Sequence, residues 1–384
     1  MAPLVTVVIP VKNGESRLGE CLASVFSQKA DFDFEVLCVD SGSTDGSLSI
    51  IQSSGARLLQ IPPAEFGHGR TRNFAIAHCR SEFVAMLTQD AVPNDDRWLA
   101  ELIQPMRDND KVAGVFGRHL PHPGCNPSEA YMLDAHFRAF GEQVTLYRIA
   151  PGLEGWAEYE SRRGWYQFFS DNNAALRRSV WERIPYRDVE FMEDQLWASD
   201  ILEAGYIKAY APNAAVRHSH DYSLATVLRR AFDEARFRRE YCDPGDLPGA
   251  RALAVQALRD AGRDLRRLAR DQAYSTKDRL ELAPYIVGRH LAQSAGRFLG
   301  DRFELMPETA VRRLSQHHEL KGDVAAALPR SPVLRGAVRE AVRRSMQTHG
   351  KLNTATLGLR KSIWAVGGRG GRGGVGERVC HNRG

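Results

Sequence analysis

Short apolar runs alternate with helical patterns over the first third of the chain, and this alternation limits the fold more than any other feature. Most of the runs have the length of a strand and are continuously apolar, which is typical of strands buried on both faces. The segments between them repeat apolar residues at helical spacing. This order predicts an α/β fold with a doubly wound, mostly parallel sheet. The predicted strands are 4–10, 34–39, 57–61, 82–87 and 112–116.

Polar residues that favour helix starts follow the first two predicted strands. Asn13 is placed to cap the first helix, and Thr44 or Asp45 to cap the second. The pattern predicts further helices over 70–78 and 95–106. Each predicted strand is therefore followed by a turn that can carry functional side chains.

Two aspartates stand where predicted strands end. Asp40 follows the second strand, and Asp90 follows the fourth. In parallel α/β sheets ligands bind beyond the carboxyl ends of the strands, so we expect the two carboxylates to share one cleft. The alternative for each aspartate is a structural role in its own turn. Asp40 would then shape a serine-glycine turn, and Asp90 would form an Asx turn before a helix.

Beyond residue 120 the pattern is less regular. It predicts helices over 128–140 and 193–204 and a strand-like segment over 206–218. From 223 to about 344 the chain is helical in pattern and rich in arginine and alanine, and a boundary is predicted at 243–246. The predicted organisation is an α/β domain over 1–242 with halves of about 1–118 and 119–242, a helical region over 243–364 and a disordered Gly/Arg-rich tail over 365–384.

Two pairs of residues in the second half have side chains suited to catalysis or metal binding. Glu193 and Asp194 are adjacent carboxylates at a predicted helix start, where the helix dipole alone also favours acidic residues. His218 and His220 lie two apart on an extended segment, so their side chains share one face. They predict one or two metal ligands, and ordinary surface or core histidines are the alternative.

The segment from Phe66 to Ala75 concentrates polar side chains at a predicted helix start. His68, Arg70, Arg72 and Asn73 lie here between glycines and the helix. Arginines and backbone N–H groups at a helix N-terminus suit a diphosphate. The alternative is a solvated basic helix end.

Composition and charge indicate a soluble protein. The formal net charge is +5, and the 52 basic and 47 acidic residues are too balanced to imply nucleic acid. The six cysteines are scattered without a C-x-x-C pair, which favours reduced thiols. The N-terminal segment lacks the features of a signal peptide, and no apolar run approaches the roughly 18 residues that span a bilayer. We expect a cytoplasmic protein, soluble or attached peripherally to the inner face of the membrane.

The order of these motifs resembles the family 2 glycosyltransferases of the GT-A fold, and most closely their rhamnosyltransferase-like branch. The resemblance covers roughly residues 4–240. Its motifs are VTVVIPVKNGE, VDSGSTDGS, FGHGRTRN, LTQDAVP, FSDNNAALRRSVWERIPY, MEDQLWA and VRHSHDYS. It implies that the first half of the α/β domain binds the nucleotide and that the second half holds the acceptor and the catalytic base.

The resemblance also implies roles for single residues. Asp194 matches the catalytic base, with Glu193 beside it. Asp90 matches the last aspartate of a metal-binding D-x-D, whose first position is Thr88 here, and His218 or His220 matches a further metal or diphosphate ligand. Sugar and acceptor contacts are expected at Asn172, Asn173 and Trp197. Nucleotide-sugar contacts are expected at Pro10, Asn13, Glu15, Asp40, Ser41, His68, Arg70, Arg72, Asn73 and Gln89, with Asp40 meeting a pyrimidine base.

The activity expected from the resemblance is an inverting sugar transfer that depends on Mg²⁺ or Mn²⁺. The donor is expected to be a nucleotide diphosphate-sugar, best dTDP-L-rhamnose, with UDP-sugars and GDP-sugars as the alternatives. The acceptor is expected to be a hydroxyl of a growing bacterial surface glycan, lipid-linked or capsular in type. A basic helical region suits an anionic membrane. It suits equally a scaffold that packs on the catalytic domain or on a second copy in a homodimer.

Two other classes of protein compete with this interpretation. A sugar nucleotidyltransferase also binds nucleotides on a doubly wound sheet, but VIPVKNGE has a single glycine and is no phosphate-binding loop of that kind. A non-catalytic scaffold or nucleic-acid binder is suggested by GGRGGRGG, since such tails bind RNA loosely. We expect no specific nucleic-acid partner.

Overall fold

The computed structural model describes residues 2–241 and 247–317. The boundary predicted at 243–246, the helical pattern beyond 317 and the Gly/Arg-rich tail lie outside the described residues. The order of strands and helices in the described part confirms an α/β fold followed by a helical C-terminal region.

One sheet of nine strands organises the first 217 residues. Its strand order is β3-β2-β1-β4-β8-β6-β9-β5, and β7 also pairs with β9. The strands are β1 (Val5–Val11), β2 (Phe34–Asp40), β3 (Arg57–Gln60), β4 (Phe83–Leu87), β5 (Val92–Pro93), β6 (Val112–Leu120), β7 (Thr145–Tyr147), β8 (Asn173–Arg177) and β9 (Ile207–Arg217).

Thirteen α-helices lie in the described residues. They are α1 (Glu15–Phe26), α2 (Ser47–Ser54), α3 (His68–Ala77), α4 (Trp98–Asp108), α5 (Pro127–Arg138), α6 (Gly152–Ser161), α7 (Arg163–Gln167), α8 (Arg178–Trp181), α9 (Glu193–Glu203), α10 (Leu224–Tyr241), α11 (Ala250–Arg270), α12 (Thr276–Gly300) and α13 (Glu308–Leu314).

The sheet is parallel in its first half and mixed in its second. Strands β3, β2, β1 and β4 all pair in parallel. Strand β8 then runs antiparallel between β4 and β6, and β6 pairs in parallel with β9. Because β8 is reversed, its first residue, Asn173, lies opposite Leu87, the last residue of β4. The chain before β8 therefore reaches the same sheet edge as the carboxyl ends of the parallel strands.

Apolar residues on alternate positions of each strand fill two cores, one on each side of the sheet. On β1, Val7 and Ile9 face helices α1, α2 and α4, whereas Val8 faces α3, α5 and α9. This period of two explains why the strands are apolar on both faces. Helices thus cover both faces of the sheet, and functional side chains are confined to its edges.

The two helix caps predicted from sequence differ from those observed. Asn13 does not cap α1, because its backbone is left-handed with φ 49° and its Oδ1 accepts the Thr44 N–H at 2.8 Å. The residue before α2 is Gly46, and Asp45 instead accepts the Ser47 N–H at 3.1 Å. The Asn13 side chain joins the loop after β1 to the loop after β2, a long-range contact that a local capping rule does not anticipate.

Helix α12 of the helical region packs through backbone contact on α10, the last helix of the predicted α/β domain. A Cβ at Gly296 of α12 would lie 2.2 Å from the Leu228 carbonyl oxygen of α10, and one at Gly300 would lie 2.2 Å from that of Phe232. Only glycine permits helices to approach so closely. Helix α10 begins a few residues after His220, so this packing connects the helical region to the sheet edge.

None of the helices in residues 2–241 and 247–317 combines the length and the hydropathy that crossing a bilayer requires.

Candidate functional site

A two-residue strand brings two distant parts of the chain together at the sheet edge. Strand β5 pairs antiparallel with the end of β9, and Val92 lies opposite Arg217. Asp90 is two residues before Val92, and His218 directly follows Arg217. The His218 N–H also donates to the Leu120 carbonyl at 2.8 Å, which holds the end of β9 against β6. The side chains of Asp90 and His218 are therefore neighbours.

Asp90, His218 and His220 converge on one point. The Nε2 atom of His218 lies 3.6 Å from Asp90 Oδ1, and that of His220 lies 3.6 Å from Asp90 Oδ2. The two Nε2 atoms are 3.1 Å apart. One ligand atom from each residue lies within 4.8 Å of the others, an arrangement that can hold a metal ion.

The protonation states at this site suit metal binding. Burial lowers the pKa of His218 to about 4, so its imidazole is neutral near pH 7 and offers a lone pair. Burial alone would raise the pKa of the Asp90 carboxyl, but the neighbouring His218 and His220 outweigh it and the net shift is downward. One carboxylate and two neutral imidazoles form a donor set suited to a first-row divalent cation.

His122 also belongs to this edge and was not predicted from sequence. Its Nε2 atom lies 3.1 Å from the backbone carbonyl oxygen of Asp90, and its Nδ1 lies 3.4 Å from an Arg17 guanidinium nitrogen. The signal was its place just after β6, at the same sheet edge as the ends of β4 and β9. The sequence alone does not show that β6 lies beside β9, and without that strand order His122 cannot be placed next to His218.

Asp40 and Ser41 hold the loop after β2. The Asp40 carboxylate is fully buried and accepts the N–H groups of Gly42 at 2.9 Å and of Ser43 at 3.1 Å. The Ser41 hydroxyl donates to the Val11 carbonyl at 3.1 Å. Contact between Asp40 and a nucleobase remains a prediction, because in this conformation its carboxylate faces its own loop.

Gln89, the residue before Asp90, connects that loop to the end of β4 through Lys12. Its Oε1 accepts the Lys12 N–H at 2.8 Å, and its Nε2 donates to the Lys12 carbonyl at 3.0 Å. The Lys12 amine in turn donates to the Ser41 carbonyl at 3.0 Å. The Gln89 side-chain amide thus makes both hydrogen bonds that a neighbouring strand's backbone would make with Lys12. Through these bonds the loops after β1, β2 and β4 form one surface.

The remaining residues predicted near the first strand lie at this surface. Pro10 is half-buried in β1 opposite Val39. Glu15 is exposed at the start of α1, and its Oε2 accepts the Gly46 N–H at 3.0 Å. Asn13, described above, bonds Thr44. These residues connect loops, and an exposed position leaves Asn13 and Glu15 accessible to a ligand.

Arg72 lies in a buried cluster of charges, away from the diphosphate position expected for it. Its Nε is 2.9 Å from Asp171 Oδ2, and its Nη1 donates to Glu193 Oε1 at 2.8 Å. Both carboxylates are also buried. The sequence pattern placed Arg72 at a helix start but could not show that carboxylates far away in the sequence neutralise it.

Asp194 lies at the edge of this cluster and is partly exposed. Its Oδ2 accepts the Asp171 backbone N–H at 3.3 Å, and its Oδ1 accepts the Gln195 N–H at 2.7 Å. Burial, followed by the negative charges of Glu193 and Asp171, raises the pKa of Asp194 well above its ordinary value. A carboxylate with a raised pKa is a stronger base, as a proton acceptor at this position requires.

The backbone before Asp194 is held in an unfavourable conformation. Met192 precedes α9 with φ 66°, in the left-handed region that non-glycine residues rarely adopt. Next to the cluster, the Tyr186 hydroxyl donates to Asp171 Oδ1 at 2.9 Å. Neither Met192 nor Tyr186 was predicted from sequence, since each acts through three-dimensional neighbours.

The other residues predicted around α3 bond to the segment before α9. Arg70 pairs with Asp188 at 2.7 Å and keeps an exposed side chain. The Asn73 side-chain amide bonds the backbone of Tyr186, at 2.8 Å as donor and 3.1 Å as acceptor. His68 is half-buried, and burial lowers its pKa. Asn73 is therefore structural in this conformation, whereas Arg70 remains accessible.

Two residues expected at the sugar and acceptor are structural instead. Trp197 is fully buried against Gly114, and its Nε1 donates to the Ile184 carbonyl at 2.8 Å, so it cannot line an open site. Asn173 is also fully buried and accepts the Trp98 indole N–H at 2.8 Å. Both lie on core-facing positions of their elements. Asn172 is half-buried between Asp171 and β8.

Comparison with known proteins places the chain among sugar-transferring enzymes. The model of glycosyl transferase family 2 matches residues 6–184. The O-antigen chain rhamnosyltransferase WbaN of Salmonella anatum is 31% identical over 306 residues, which cover 78% of this chain and 88% of that protein. The O-antigen chain rhamnosyltransferase RfbN of Salmonella typhimurium is 29% identical over 304 residues, which cover 77% and 88%.

A solved structure shows a weaker likeness. The mannosyltransferase PcManGT from Pyrobaculum calidifontis, in complex with GDP-Man and Mn²⁺, has a TM-score of 0.44 and 19% identity, and the match covers 93% of this chain and 87% of that chain.

The raised pKa of Asp194 predicts that the free energy of unfolding falls as the pH rises and this side chain ionises. Because the folded-state pKa lies above the unfolded value of roughly 4, the stability contribution of Asp194 is present at low pH and is lost as the pH rises through the folded pKa. The amide introduced by Asp194→Asn cannot ionise. We expect the difference in unfolding temperature, variant minus wild type, to increase between about pH 5 and about pH 9.

Thermal unfolding of both proteins across this pH range measures the effect. Asp110→Asn, whose side chain is 99% exposed, controls for the removal of one carboxylate. A difference for Asp194→Asn that does not change with pH would contradict the charge arrangement described for the cluster.

Proposed function

This chain belongs to glycosyl transferase family 2, and from that membership we propose that it transfers L-rhamnose from dTDP-L-rhamnose to a hydroxyl of an O-antigen-type surface glycan. Two relatives that align with more than three quarters of the chain are named O-antigen chain rhamnosyltransferases. The convergence of Asp90, His218 and His220 at the sheet edge that also carries Asp194 supports the proposal. We propose further that the transfer inverts the anomeric centre and depends on a divalent cation.

The proposed step is a single displacement. The acceptor hydroxyl oxygen forms a bond to the anomeric carbon while the bond from that carbon to the diphosphate oxygen breaks. Asp194 takes the hydroxyl proton, and the nucleoside diphosphate leaves as an anion. Attack opposite the leaving group inverts the anomeric centre.

The chain's own residues prepare Asp194 for this role. Arg72 pairs with both Glu193 and Asp171, so a positive charge lies between these two buried acidic side chains beside the base. The Asp171 backbone N–H donates to one carboxylate oxygen of Asp194, and the Gln195 backbone N–H donates to the other, so the carboxylate is held in one orientation. A cation held by Asp90, His218 and His220 would stabilise the negative charge of the departing diphosphate.

The donor site lies, in this proposal, on the joined loops after β1, β2 and β4. Lys12 and Gln89 fix the relative positions of those loops, and Asn13 and Glu15 are exposed on them. Arg70 presents an exposed guanidinium that suits a phosphate oxygen. Asp40 stabilises the loop after β2, which in this proposal binds the nucleobase, by accepting the N–H groups of Gly42 and Ser43.

A donor screen tests the proposal directly. The purified protein is incubated with Mn²⁺ and dTDP-L-rhamnose, UDP-glucose, UDP-galactose or GDP-mannose, and binding is followed by thermal stabilisation. We expect dTDP-L-rhamnose to stabilise the protein most. A larger effect of a UDP- or GDP-sugar would contradict the proposed donor and would leave family membership intact.

Asp194→Asn is expected to lose transfer and to keep donor binding. Removal of a general base lowers the rate by about 10²–10⁴-fold, whereas the donor loops lie on other strands. The rate of nucleotide release in the presence of acceptor and the thermal stabilisation by donor measure the two effects. Asp110→Asn is the exposed control. Full transfer by Asp194→Asn would remove this residue from the role of base.

Metal removal is expected to abolish transfer. EDTA should inactivate the enzyme, and excess Mn²⁺ should restore it more fully than Mg²⁺, because two of the three ligands are imidazoles. The variants Asp90→Ala and His220→Ala should stay inactive at any Mn²⁺ concentration that restores the wild type. His78→Ala, at the exposed residue that follows α3, should respond as the wild type does. Undiminished transfer in EDTA would contradict metal dependence.

We also propose that α11 binds an anionic membrane surface, which would bring the enzyme to a lipid-linked acceptor. The exposed face of α11 carries Arg251, Arg259, Arg266 and Arg270 along with Val255 and Leu258. Its two aspartates, Asp260 and Asp264, lie on the more buried side. An exposed face of arginine and apolar residues without carboxylates matches an anionic lipid surface.

Vesicle sedimentation tests the membrane proposal. Vesicles that contain phosphatidylglycerol should bind the wild type, and the double variant Arg259→Glu/Arg266→Glu should bind at least about tenfold less, since each arginine near the surface contributes about 1 kcal/mol. Arg97→Glu, on the catalytic domain, is the control. Equal binding to phosphatidylcholine vesicles would show that charge does not drive the association.

A further inference from the structure

A cavity of about 460 Å³ lies between the α/β domain and the helical region, next to the metal-ligand residues. Its volume is within the roughly 300–1,000 Å³ typical of small-ligand sites. The α/β domain contributes the loop after β6 and the start of α5, and the helical region contributes the turn before α12 and α12 itself. The residues that matter for its chemistry are His122, Cys125, Asn126, Asp221, Tyr274 and Leu282.

Two of these residues join the cavity to the metal-ligand residues. His122 lines the cavity and contacts the Asp90 carbonyl oxygen at 3.1 Å. Asp221 lines it and directly follows His220. The cavity and the site formed by Asp90, His218 and His220 therefore share a wall.

The wall is held in place by hydrogen bonds that do not involve a ligand. The Asn126 N–H donates to Asp221 Oδ1 at 2.8 Å, and the His122 N–H donates to the Ser219 hydroxyl at 2.9 Å. Tyr274 packs in a small apolar cluster with Leu268. These bonds set the position of the loop after β6 relative to Asp221 without a ligand.

The lining favours a carbohydrate over a nucleotide. It contains a carboxylate, an imidazole, a thiol, an amide side chain, a tyrosine ring and apolar carbon, and none of the lining residues is lysine or arginine. A pyranose ring offers an apolar face to an aromatic ring and hydroxyl donors to a carboxylate, whereas a diphosphate would meet Asp221 with like charge. The cavity also lies at the ends of β6 and β9, on the opposite half of the sheet from the loops after β1 and β2.

We propose that this cavity binds the terminal hexopyranose of the acceptor glycan, with Tyr274 as the stacking surface and Asp221 as the hydrogen-bond acceptor. The inference rests on the proposed function, since the glycosyl acceptor must lie beside the metal-bound donor. It assigns acceptor recognition to the helical region as well as to the α/β domain.

Saturation-transfer NMR on the full chain tests this assignment. The probes are the methyl glycosides of glucose, galactose, mannose and rhamnose. We expect saturation transfer to at least one of them with the wild type, a loss of about five- to tenfold with Tyr274→Ala, and little change with Tyr274→Phe, which keeps the ring. Leu282→Trp, which fills the cavity and removes no polar group, should also lose the signal. Leu280→Ala, on the same helix with a side chain 71% exposed, is the matched control.

Thermal stabilisation by Mn²⁺ with dTDP is measured on the same variants. Stabilisation equal to that of wild type in Tyr274→Ala, with glycoside binding lost, supports the assignment. An unchanged glycoside signal in both Tyr274→Ala and Leu282→Trp, or no signal from any glycoside with the wild type, overturns it. If glycosides bind as expected while neither Mn²⁺ nor dTDP stabilises the wild type, the proposed function fails and the glycoside site stands.

Discussion

The pairing of β5 with β9 is the constraint on which the rest of the site depends. Its two residue pairs close the distance between Asp90 and His218, which lie far apart in the sequence. The bond from His218 to the carbonyl of Leu120 then holds the end of β9 against β6. With the backbone fixed at both places, the three ligand atoms converge before any cation arrives, and little reorganisation is required for binding.

The part of the site around Asp194 contains a buried charge cluster and a strained backbone residue. The carboxylates of Asp171 and Glu193 pair with the guanidinium of Arg72, and Asp194 bonds the Asp171 backbone beside them, so the cluster has more acidic than basic side chains. The left-handed backbone of Met192 adds a strain of about 1–2 kcal/mol. Unbalanced buried charge and backbone strain lower the stability of the fold, and both are concentrated at functional sites. The two apolar cores on the sheet faces offset that cost.

Much of the fold and part of the site followed from patterns within single segments. Apolar runs predicted five strands of the sheet, and the strand-end rule brought attention to Asp90. The i, i+2 spacing placed His218 and His220 on one face. The reversed strand β8 and the charges around Arg72 were not predictable in this way, because both depend on contacts between segments far apart in sequence. Trp197 and Asn173 were misplaced for the same reason, since a motif gives residue order but not the direction in which a side chain points.

The glycine-mediated packing of α12 on α10 has a consequence for exchanging parts between related enzymes. Helix α10 begins at Leu224, shortly after His220, and the carbonyl oxygens of Leu228 and Phe232 lie against Gly296 and Gly300. A chimera joined at 243–246 would pair α10 of one parent with α12 of another and would break this fit unless both parents keep the glycines. The unit of exchange that preserves this fit therefore begins after His220, so that α10 and α12 come from the same parent.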